Sequence, residues 1–471
     1  MRVVIAGAGE VGYQIMGALY REGVDIVVID SNPGILELLR EEFNVTTVEG
    51  SATDTDTLEK AGVGSADLFL AVTNFDETNI IACLMASEAG VPKKIARVKT
   101  IDSGQGVSVS ERAHLGIDLM INPYEVAAEH LAHLVAHPQV TDFNQFLSER
   151  VLLVRFLIKS GNPLAGTTVF SFGQNARIPH TLVALIQREG RSIIPDADHV
   201  IQVMDQVYFF CEREQLERLS HYLGFSTKPS KRVFINGGGR IGYSLARRLE
   251  QHTPDVRLME ISQEKCDNLS QLLERTLVLH ADGADARALR SEGVDHADTF
   301  LSVTNQDQVN VVSSMMAKQI GARQAVALVK QPEYIPILMN RCLVDIAFSP
   351  RLLTARKLLR FVRGGDLQAY YAFPQSDVEL LKMEIAPGAP CDRKSLASLN
   401  LPKGFLIGAV IRGESIFIPR GQDALLAHDR VLLLQQRRNR RVTQELFTSR
   451  TAPGGKQAPS NEHSAAGAAA P

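Results

Sequence analysis

The stretch VVIAGAGEVG, from Val3 to Gly12, places a short apolar strand directly before a glycine-rich turn. The apolar stripe after the glycines has the spacing of a helix face. Strand, tight turn and helix with the pattern G-x-G-x-x-G are typical of dinucleotide-binding folds. In that pattern Gly7 permits the turn, Gly9 lets the backbone approach a pyrophosphate, and Gly12 lets the helix pack on the strand. The stretch therefore predicts a nucleotide site, although one such pattern alone is weak evidence.

An acidic residue stands at the end of the next predicted strand. The segment IVVID, Ile26 to Asp30, ends in a carboxylate 18 residues after Gly12. A carboxylate at this place can accept hydrogen bonds from ribose hydroxyls and would repel a 2′-phosphate. The sequence therefore favours NAD over NADP.

The same fingerprint occurs a second time in the chain. At an offset of 230 residues stands VFINGGGRIG, Val233 to Gly242, and Glu260 takes the place of Asp30. At an offset of 231, LAVTNFDETN and LSVTNQDQVN share the pattern T-N-x-D-x-x-N. Later segments also pair between the halves, which indicates that a complete half is duplicated.

The duplicated pattern predicts an α/β protein of two tandem repeats, each a Rossmann-like, doubly wound parallel-sheet domain followed by a small α+β domain. The expected division is a first nucleotide-binding domain over 1–137, a first small domain over 138–225, a linker over 226–231, a second nucleotide-binding domain over 232–366, a second small domain over 367–450 and a disordered tail over 451–471.

Composition excludes several other classes of protein. The chain has 471 residues, 50 basic and 53 acidic side chains and a net charge of −3, which gives no electrostatic footprint for nucleic acid. No apolar run approaches the length of a membrane span, and no leader precedes the first strand, so we expect a soluble, cytoplasmic protein. Five widely spaced cysteines indicate neither a disulfide framework nor a zinc motif.

Polar residues follow later strands at the edge where a ligand crevice is expected. Thr73 and Asn74, with Thr304 and Asn305 in the repeat, come at the carboxyl ends of parallel strands, where side chains can meet a nucleotide. The alternative is that they cap the next helix, and the sequence leaves both interpretations open. Arg97 ends a later strand and could reach a phosphate; its counterpart in the repeat is a leucine.

The two tandem units resemble the RCK (KTN) domains that regulate potassium transport, over about residues 1 to 447. The resemblance implies an RCK N domain and an RCK C domain in each half, and a regulatory protein that is not an enzyme. It also implies a homo-oligomeric cytoplasmic ring, commonly tetrameric, on the inner face of the cell membrane. The partner would be a membrane potassium-translocating subunit of the Trk type, which nucleotide occupancy of the ring gates. Ser51 and Asp282 resemble the family's contacts to adenosine.

The predicted nucleotide-binding residues follow from the two turns, the two acids and the crevice positions. In the first half they are Gly7, Ala8, Gly9, Glu10, Val11, Gly12, Asp30, Ser51, Thr73, Asn74 and Arg97. In the second half they are Gly237, Gly238, Gly239, Arg240, Ile241, Gly242, Glu260, Asp282, Thr304 and Asn305.

The two turns differ in charge, because Glu10 in the first is replaced by Arg240 in the second. A unit charge about 4 Å from a phosphate is worth on the order of 4 kcal/mol at an effective dielectric near 20. The hypothesis is that the first half prefers NAD or NADH and that the second tolerates ATP or ADP. The alternative is that both side chains turn into water.

Three other functions compete with a nucleotide sensor. An NAD-dependent oxidoreductase would need a proton donor or acceptor and a substrate pocket, and the sequence offers no convincing candidate. A scaffold without ligands is disfavoured because both sets of glycines are intact. A zinc site at His130, His133 and His137 has ligand-like spacing, but Lys357 and Arg360 replace the first two in the repeat.

Overall fold

The protein is described by a computed structural model over residues 1–20, 23–99, 115–138, 142–145, 151–225, 228–362, 371–372, 376–399 and 401–448, apart from the side chains of 142–145, 340, 360 and 371–372. The tail predicted over 451–471 lies outside the described residues.

The first half begins with a six-stranded parallel sheet. Its strands, in spatial order, are Thr46–Glu49, Asp25–Asp30, Arg2–Ala6, Leu68–Ala71, Lys93–Arg97 and Leu119–Ile121. Its helices are Glu10–Tyr20, Pro33–Glu42, Thr55–Lys60 and Asp76–Glu88, with a 3₁₀ turn at Val63–Ser65. The second and third strands lie on one side of the first strand, and the later strands lie on its other side. Open α/β sheets bind ligands at such a switch point in strand order, beside the carboxyl end of the first strand.

The second half repeats this sheet with the same strand order. Its strands, in spatial order, are Leu277–His280, Asp255–Glu260, Arg232–Asn236, Thr299–Ser302, Gln324–Leu328 and Ile346–Phe348. Its helices are Arg240–Leu249, Gln263–Leu272, Ala286–Ser291, Asp307–Ile320 and Tyr334–Asn340, with a 3₁₀ turn at Val294–His296. The predicted pair of Rossmann-like sheets is confirmed.

Each parallel sheet is followed by a smaller antiparallel sheet of five strands. The first contains Arg191–Ile193, Thr181–Arg188, Gln206–Glu212, Val151–Leu157 and Asp142–Gln145, with helices Val169–Ala176 and Leu216–Tyr222 and a 3₁₀ turn at Arg213–Gln215. The second contains Tyr371–Ala372, Val378–Glu384, Arg430–Gln436, Phe405–Arg412 and Ser415–Phe417, with the helix Arg440–Phe447 and 3₁₀ turns at Leu396–Ser398 and Arg437–Asn439. The predicted α+β character of both modules is confirmed.

Two long helices connect the parallel sheets to the small modules, and each packs on the opposite half. The first connecting helix, Pro123–Ala136, is capped by Asn122, whose Oδ1 accepts the N–H of Tyr124 at 2.9 Å. Its apolar face, including Leu131, joins the core of the second parallel sheet. The second connecting helix, Pro350–Val362, joins the core of the first parallel sheet in the same way. The two halves therefore exchange helices.

The two small modules also share a core. The outer face of each antiparallel sheet contributes buried side chains to one cluster, which includes Tyr208 and Phe210 from the first module and Leu432 and Leu434 from the second. Gly408 lies at this contact, since a Cβ there would stand 2.1 Å from the Phe210 ring. The repeat units are thus joined at both their large and their small domains.

Each small module contains the same internal ion pair. Arg188 donates from Nε and Nη2 to the fully buried carboxylate of Asp205, both at 2.7 Å. Arg412 donates to Asp429 at 2.9 and 2.7 Å in the second module. Asp205 and Asp429 directly precede the strands Gln206–Glu212 and Arg430–Gln436, so each pair connects the turn before that strand to the neighbouring strand.

Among the described residues, every helix is too short or too polar to cross a membrane.

Candidate nucleotide sites

The glycine-rich turn of the first half has the geometry that the sequence predicts. Gly7 has a φ of +105°, and a Cβ there would stand 2.8 Å from the Thr73 nitrogen. A Cβ on Gly12 would stand 2.0 Å from the Gly7 carbonyl oxygen. Gly9 is exposed, and a Cβ there would meet nothing within 4 Å. Gly7 and Gly12 are therefore required by packing, whereas Gly9 leaves an open space in front of the helix N-terminus.

Asp30 holds this turn in place. Its Oδ2 accepts the N–H of Ala8 at 2.7 Å, and its Oδ1 accepts the N–H of Asn32 at 2.9 Å. Each carboxylate oxygen has two lone pairs, so these bonds leave acceptor capacity for a ribose hydroxyl. The acid predicted to contact the ribose is thus also a structural part of the phosphate turn.

The second turn repeats the first with a compensating change of size. Glu260 accepts the N–H of Gly238 at 2.9 Å and the N–H of Ser262 at 3.1 Å, as Asp30 does in the first half. A Cβ on Gly238 would stand 3.1 Å from the Glu260 Oε2 and 2.5 Å from Leu269. The longer acid therefore occupies space that the smaller glycine leaves, where the first half has Ala8 and a shorter acid.

The other glycines of the second turn keep the roles of their counterparts. Gly237 has a φ of +111°, and a Cβ on Gly242 would stand 1.9 Å from the Gly237 oxygen. Gly239 is exposed, and a Cβ there would meet nothing within 4 Å. Val11 is buried and Ile241 is partly buried, so both serve packing of the helix that follows each turn.

The T-N-x-D-x-x-N segments form a hydrogen-bonded junction at the edge of each crevice. Asn79 is fully buried, and its Oδ1 accepts the N–H of Thr73 at 2.8 Å and the Thr73 hydroxyl at 2.7 Å. Its Nδ2 donates to the carbonyl of Arg97 at 2.8 Å. Asn310 makes the same bonds to Thr304. The sequence analysis missed the last asparagine of the pattern, although its repetition in both halves was the signal.

The capping alternative holds only for the threonine of each pair, because Thr73 Oγ1 accepts the N–H of the cap residue Phe75 at 3.3 Å and Thr304 Oγ1 accepts that of Gln306 at 3.2 Å. The helices begin at Asp76 and Asp307, after Phe75 and Gln306, and neither of those cap residues makes a side-chain hydrogen bond to the helix. Asn74 and Asn305 are exposed at the crevice edge. Their carbonyl oxygens accept bonds from lysine ammonium groups, at 2.5 Å for Lys99 and 2.7 Å for Lys330.

Arg97 lies beside Asn74 at the same edge of the first site. Its Nη1 is 3.4 Å from the Asn74 Oδ1, and within the described residues its buried Nε has no hydrogen-bond partner. Burial lowers the pKa of this guanidinium.

The two residues predicted to contact adenosine lie in local turns. Ser51 is exposed, and its hydroxyl lies 2.8 Å from that of Thr53. Asp282 accepts the N–H of Ala284 at 2.8 Å.

Residues of the opposite half contact both turns. Arg351, at the start of the second connecting helix, forms an ion pair with Glu10 of the first turn. Tyr124, at the start of the first connecting helix, lies under the Arg240 guanidinium with 5.3 Å between the Arg240 Cζ and the ring centre. Glu10 and Arg240 are both exposed to water, as the alternative expected, but each side chain also contacts a residue of the opposite half.

The first connecting helix, which carries His130, His133 and His137, takes part in packing and in an ion pair between the halves. The His130 ring is 5.8 Å from that of Phe348, and Glu129 pairs with Lys357 at 2.8 Å. Burial lowers the pKa of His137. In the part of the chain that the structure describes, no three potential ligands are grouped as a metal site.

Two Rossmann-like halves with matching phosphate turns, each followed by a small α+β module, define a tandem nucleotide-binding architecture. Residues 3–123 and 233–350 match the TrkA-N domain family, and residues 153–224 and 380–448 match the TrkA-C domain family. The chain belongs to the TrkA family.

A relative from Halomonas elongata, the Trk system potassium uptake protein TrkA, is 34% identical over 449 residues, which cover 94% of this chain and 98% of the relative. Further relatives that match over most of the chain carry the same protein name. The prediction that the chain is not an enzyme is confirmed by these relatives, since they are named as potassium uptake proteins.

Two solved structures support the fold. The crystal structure of the GsuK RCK domain has a TM-score of 0.58 at 19% identity and covers 95% of this chain and 94% of that chain. The GsuK channel bound to NAD has the same TM-score and identity and covers 95% of this chain and 78% of that chain. The predicted arrangement of RCK domains is therefore confirmed at the level of the fold.

Proposed function

We propose that this chain is a cytoplasmic nucleotide-sensing subunit that regulates potassium uptake through a Trk-type membrane subunit. It binds NAD or NADH at the glycine turns and forms a homo-oligomeric ring, most simply a tetramer, on the inner face of the membrane. Ligands that prefer one ring shape shift the population of shapes, and a tenfold preference amounts to about 1.4 kcal/mol per site. The ring shape then controls the transporter.

The observation that carries this proposal is the repeated geometry of the two turns. Both have a glycine with positive φ, a buried glycine that packs on it, and an acid that holds the turn by two N–H bonds. Gly9 and Gly239 leave open space in front of a helix N-terminus, where backbone N–H groups and the helix dipole favour a phosphate. Membership of the TrkA family and the NAD-bound relative of the same fold support the ligand class.

The difference in charge supports a different ligand range at each turn. Glu10 is balanced by Arg351, so the first turn is close to neutral. Arg240 of the second turn stacks on Tyr124 and has no acidic partner among the described residues. We therefore propose that the first site binds NAD or NADH and that the second tolerates ATP or ADP. The difference in nucleotide preference between the two sites should be smaller than an unpaired Glu10 would cause.

The first test is calorimetric titration of the full chain with NADH, NAD, ATP and ADP, repeated on Gly9→Ala and Gly239→Ala. Each added methyl points into open space, so the fold should be kept while the approach of a pyrophosphate is blocked. Gly173→Ala is the matched control, since a Cβ there also meets nothing within 4 Å but lies in the first small module. We expect each turn variant to lose one binding event and the control to lose none.

The second test is potassium uptake by cells that carry a Trk membrane subunit and lack its regulatory subunit. The wild-type chain should restore nucleotide-dependent uptake, and the two turn variants should change that dependence. Binding at neither turn would overturn the proposal, and so would uptake that is identical with and without the chain.

A further inference from the structure

The first nucleotide turn has a cation beside it that belongs to the second half of the chain. Arg351 lies at the start of the second connecting helix, and its guanidinium pairs with the Glu10 carboxylate. Its side chain is 31% exposed and that of Glu10 is 56% exposed. The Arg351 Nη1 also lies 3.4 Å from the Lys330 carbonyl oxygen, which holds the arginine close to its own half. The pair is therefore accessible at the entrance of the first site.

The surroundings of this pair suit an anion, and a phosphate could take the place that the Glu10 carboxylate now occupies. Glu10 is the first residue of the helix whose free N–H groups face the open space beside Gly9. Arg97 stands at the edge of the same crevice with a buried Nε that has no partner in the described part of the chain. An ion pair exposed to this degree is weak, so its carboxylate can be displaced by a competing anion. A phosphate can accept two parallel bonds from the guanidinium fork.

The equivalent place in the second site has a different chemistry. Tyr124 occupies the position of Arg351 at the start of the first connecting helix, and it contacts Arg240 through its ring. There the cation belongs to the turn itself, and the opposite half supplies an uncharged aromatic group. Each site thus has one arginine at its turn, but only the first receives that arginine from the other half.

We propose that Arg351 is a phosphate-binding residue of the first nucleotide site, and that Glu10 holds it in place until a nucleotide arrives. A bound phosphate replaces Glu10 as the partner of Arg351. Because Arg351 begins the second connecting helix, which packs on the first parallel sheet, occupancy of the first site then acts directly on the second half. This inference rests on the proposed function, since it requires that the first turn bind a nucleotide.

The test is titration of the full chain with ATP and with NADH, with Gly239→Ala present so that the first turn is the site measured. Arg351→Gln should weaken NADH binding by about tenfold or more, as a lost hydrogen bond to a charged group costs about 1.5–3 kcal/mol. Glu10→Gln should strengthen NADH binding, because it removes the competitor for Arg351. Any ATP binding at this turn should change in the same directions and by more, because ATP carries more phosphate charge.

The opposite signs of these two effects separate ligand binding from a structural role. If Arg351 only stabilises the junction between the halves, both variants break the same pair and shift affinity in the same direction or not at all. Either result would overturn the inference. Arg351→Lys keeps the charge without the fork and should bind NADH with intermediate affinity. It serves as the test variant if Arg351→Gln lowers the thermal midpoint.

The outcomes also distinguish this inference from the proposed function. Absence of ATP and NADH binding when only the first turn is open would overturn both. Binding that Gly9→Ala abolishes and Arg351→Gln leaves unchanged would overturn the inference alone. Tyr124→Phe is the control at the equivalent position, and it should leave the affinity of the first site unchanged.

Discussion

Replacement of two glycines of the first turn by alanine should have different consequences: Gly12→Ala should lower stability, and Gly9→Ala should remove nucleotide binding. A Cβ on Gly12 would stand 2.0 Å from the Gly7 carbonyl oxygen, while ordinary van der Waals contact begins at 3.4 Å. The helix and the turn must therefore separate by about 1.4 Å, and both are backbone elements that cannot rotate away. Over-packing of this kind typically costs about 1–3 kcal/mol. Gly12→Ala should lower the stability of the first nucleotide domain by at least that amount.

Gly9→Ala should not destabilise the protein, because its methyl group meets nothing within 4 Å. It should instead abolish nucleotide binding at the first turn, where the same methyl occupies the approach of the pyrophosphate. Gly242→Ala offers a repeat of the stability measurement in the second half, since its Cβ would stand 1.9 Å from the Gly237 oxygen.

The assay is urea unfolding followed by far-UV circular dichroism, since the chain contains no tryptophan. Gly12→Ala should move the midpoint of one transition to lower urea, and Gly9→Ala should leave every midpoint unchanged or slightly higher. Equal midpoints for wild type and Gly12→Ala would refute the packing argument. A Gly9→Ala chain that unfolds at lower urea would refute the assignment of open space at that position.

Three further predictions concern residues away from the nucleotide turns. Asp205→Asn should cost about 2–3 kcal/mol in thermal or urea unfolding, because Arg188 loses a buried bidentate acceptor; an unchanged midpoint would contradict this. Burial lowers the pKa of His137, so the unfolded chain binds more protons than the folded one as pH falls through the ordinary pKa of 6.5. Stability should therefore fall on acidification below neutral pH, and less so in His137→Gln; equal losses would exclude His137 as a source. Gly408→Ala should lower the thermal midpoint by the equivalent of about 1–3 kcal/mol, since its methyl would stand 2.1 Å from the Phe210 ring; a midpoint equal to wild type would show that the small modules separate freely.

Local pattern was sufficient to predict the two sheets and their turns. The glycines are required by a positive φ or a close approach, and the acid at the end of the second strand holds the turn. These causes are local in the chain, so the pattern is readable from the sequence and recurs at a constant offset. The pairing of Gly238 with Glu260, and of Ala8 with Asp30, was not predicted, because it depends on the spatial contact between the turn and the acid.

The exchange of connecting helices could not be predicted in this way. An amphipathic helix must bury its apolar face, but two homologous halves offer equivalent sheets to cover, and periodicity does not choose between them. For the same reason the contact between Arg351 and Glu10 was not predicted. Alignment of the repeats places Arg351 opposite Tyr124, and it is far from Glu10 in the sequence. The role of Asn79 was missed for a different reason: its bonds to Thr73 and to the Arg97 carbonyl depend on the meeting of two strands and a helix.

The exchanged helices determine how the two sites can influence each other. Tyr124 begins a helix that follows the first sheet and packs on the second, and it contacts the turn of the second site. Arg351 begins a helix that follows the second sheet and packs on the first, and it contacts the turn of the first site. A ligand that displaces either residue would break a contact between the halves, and any coupling that results would be reciprocal in free energy. Two sites on one chain can therefore report a joint state of occupancy, which two independent domains on a flexible linker could not do.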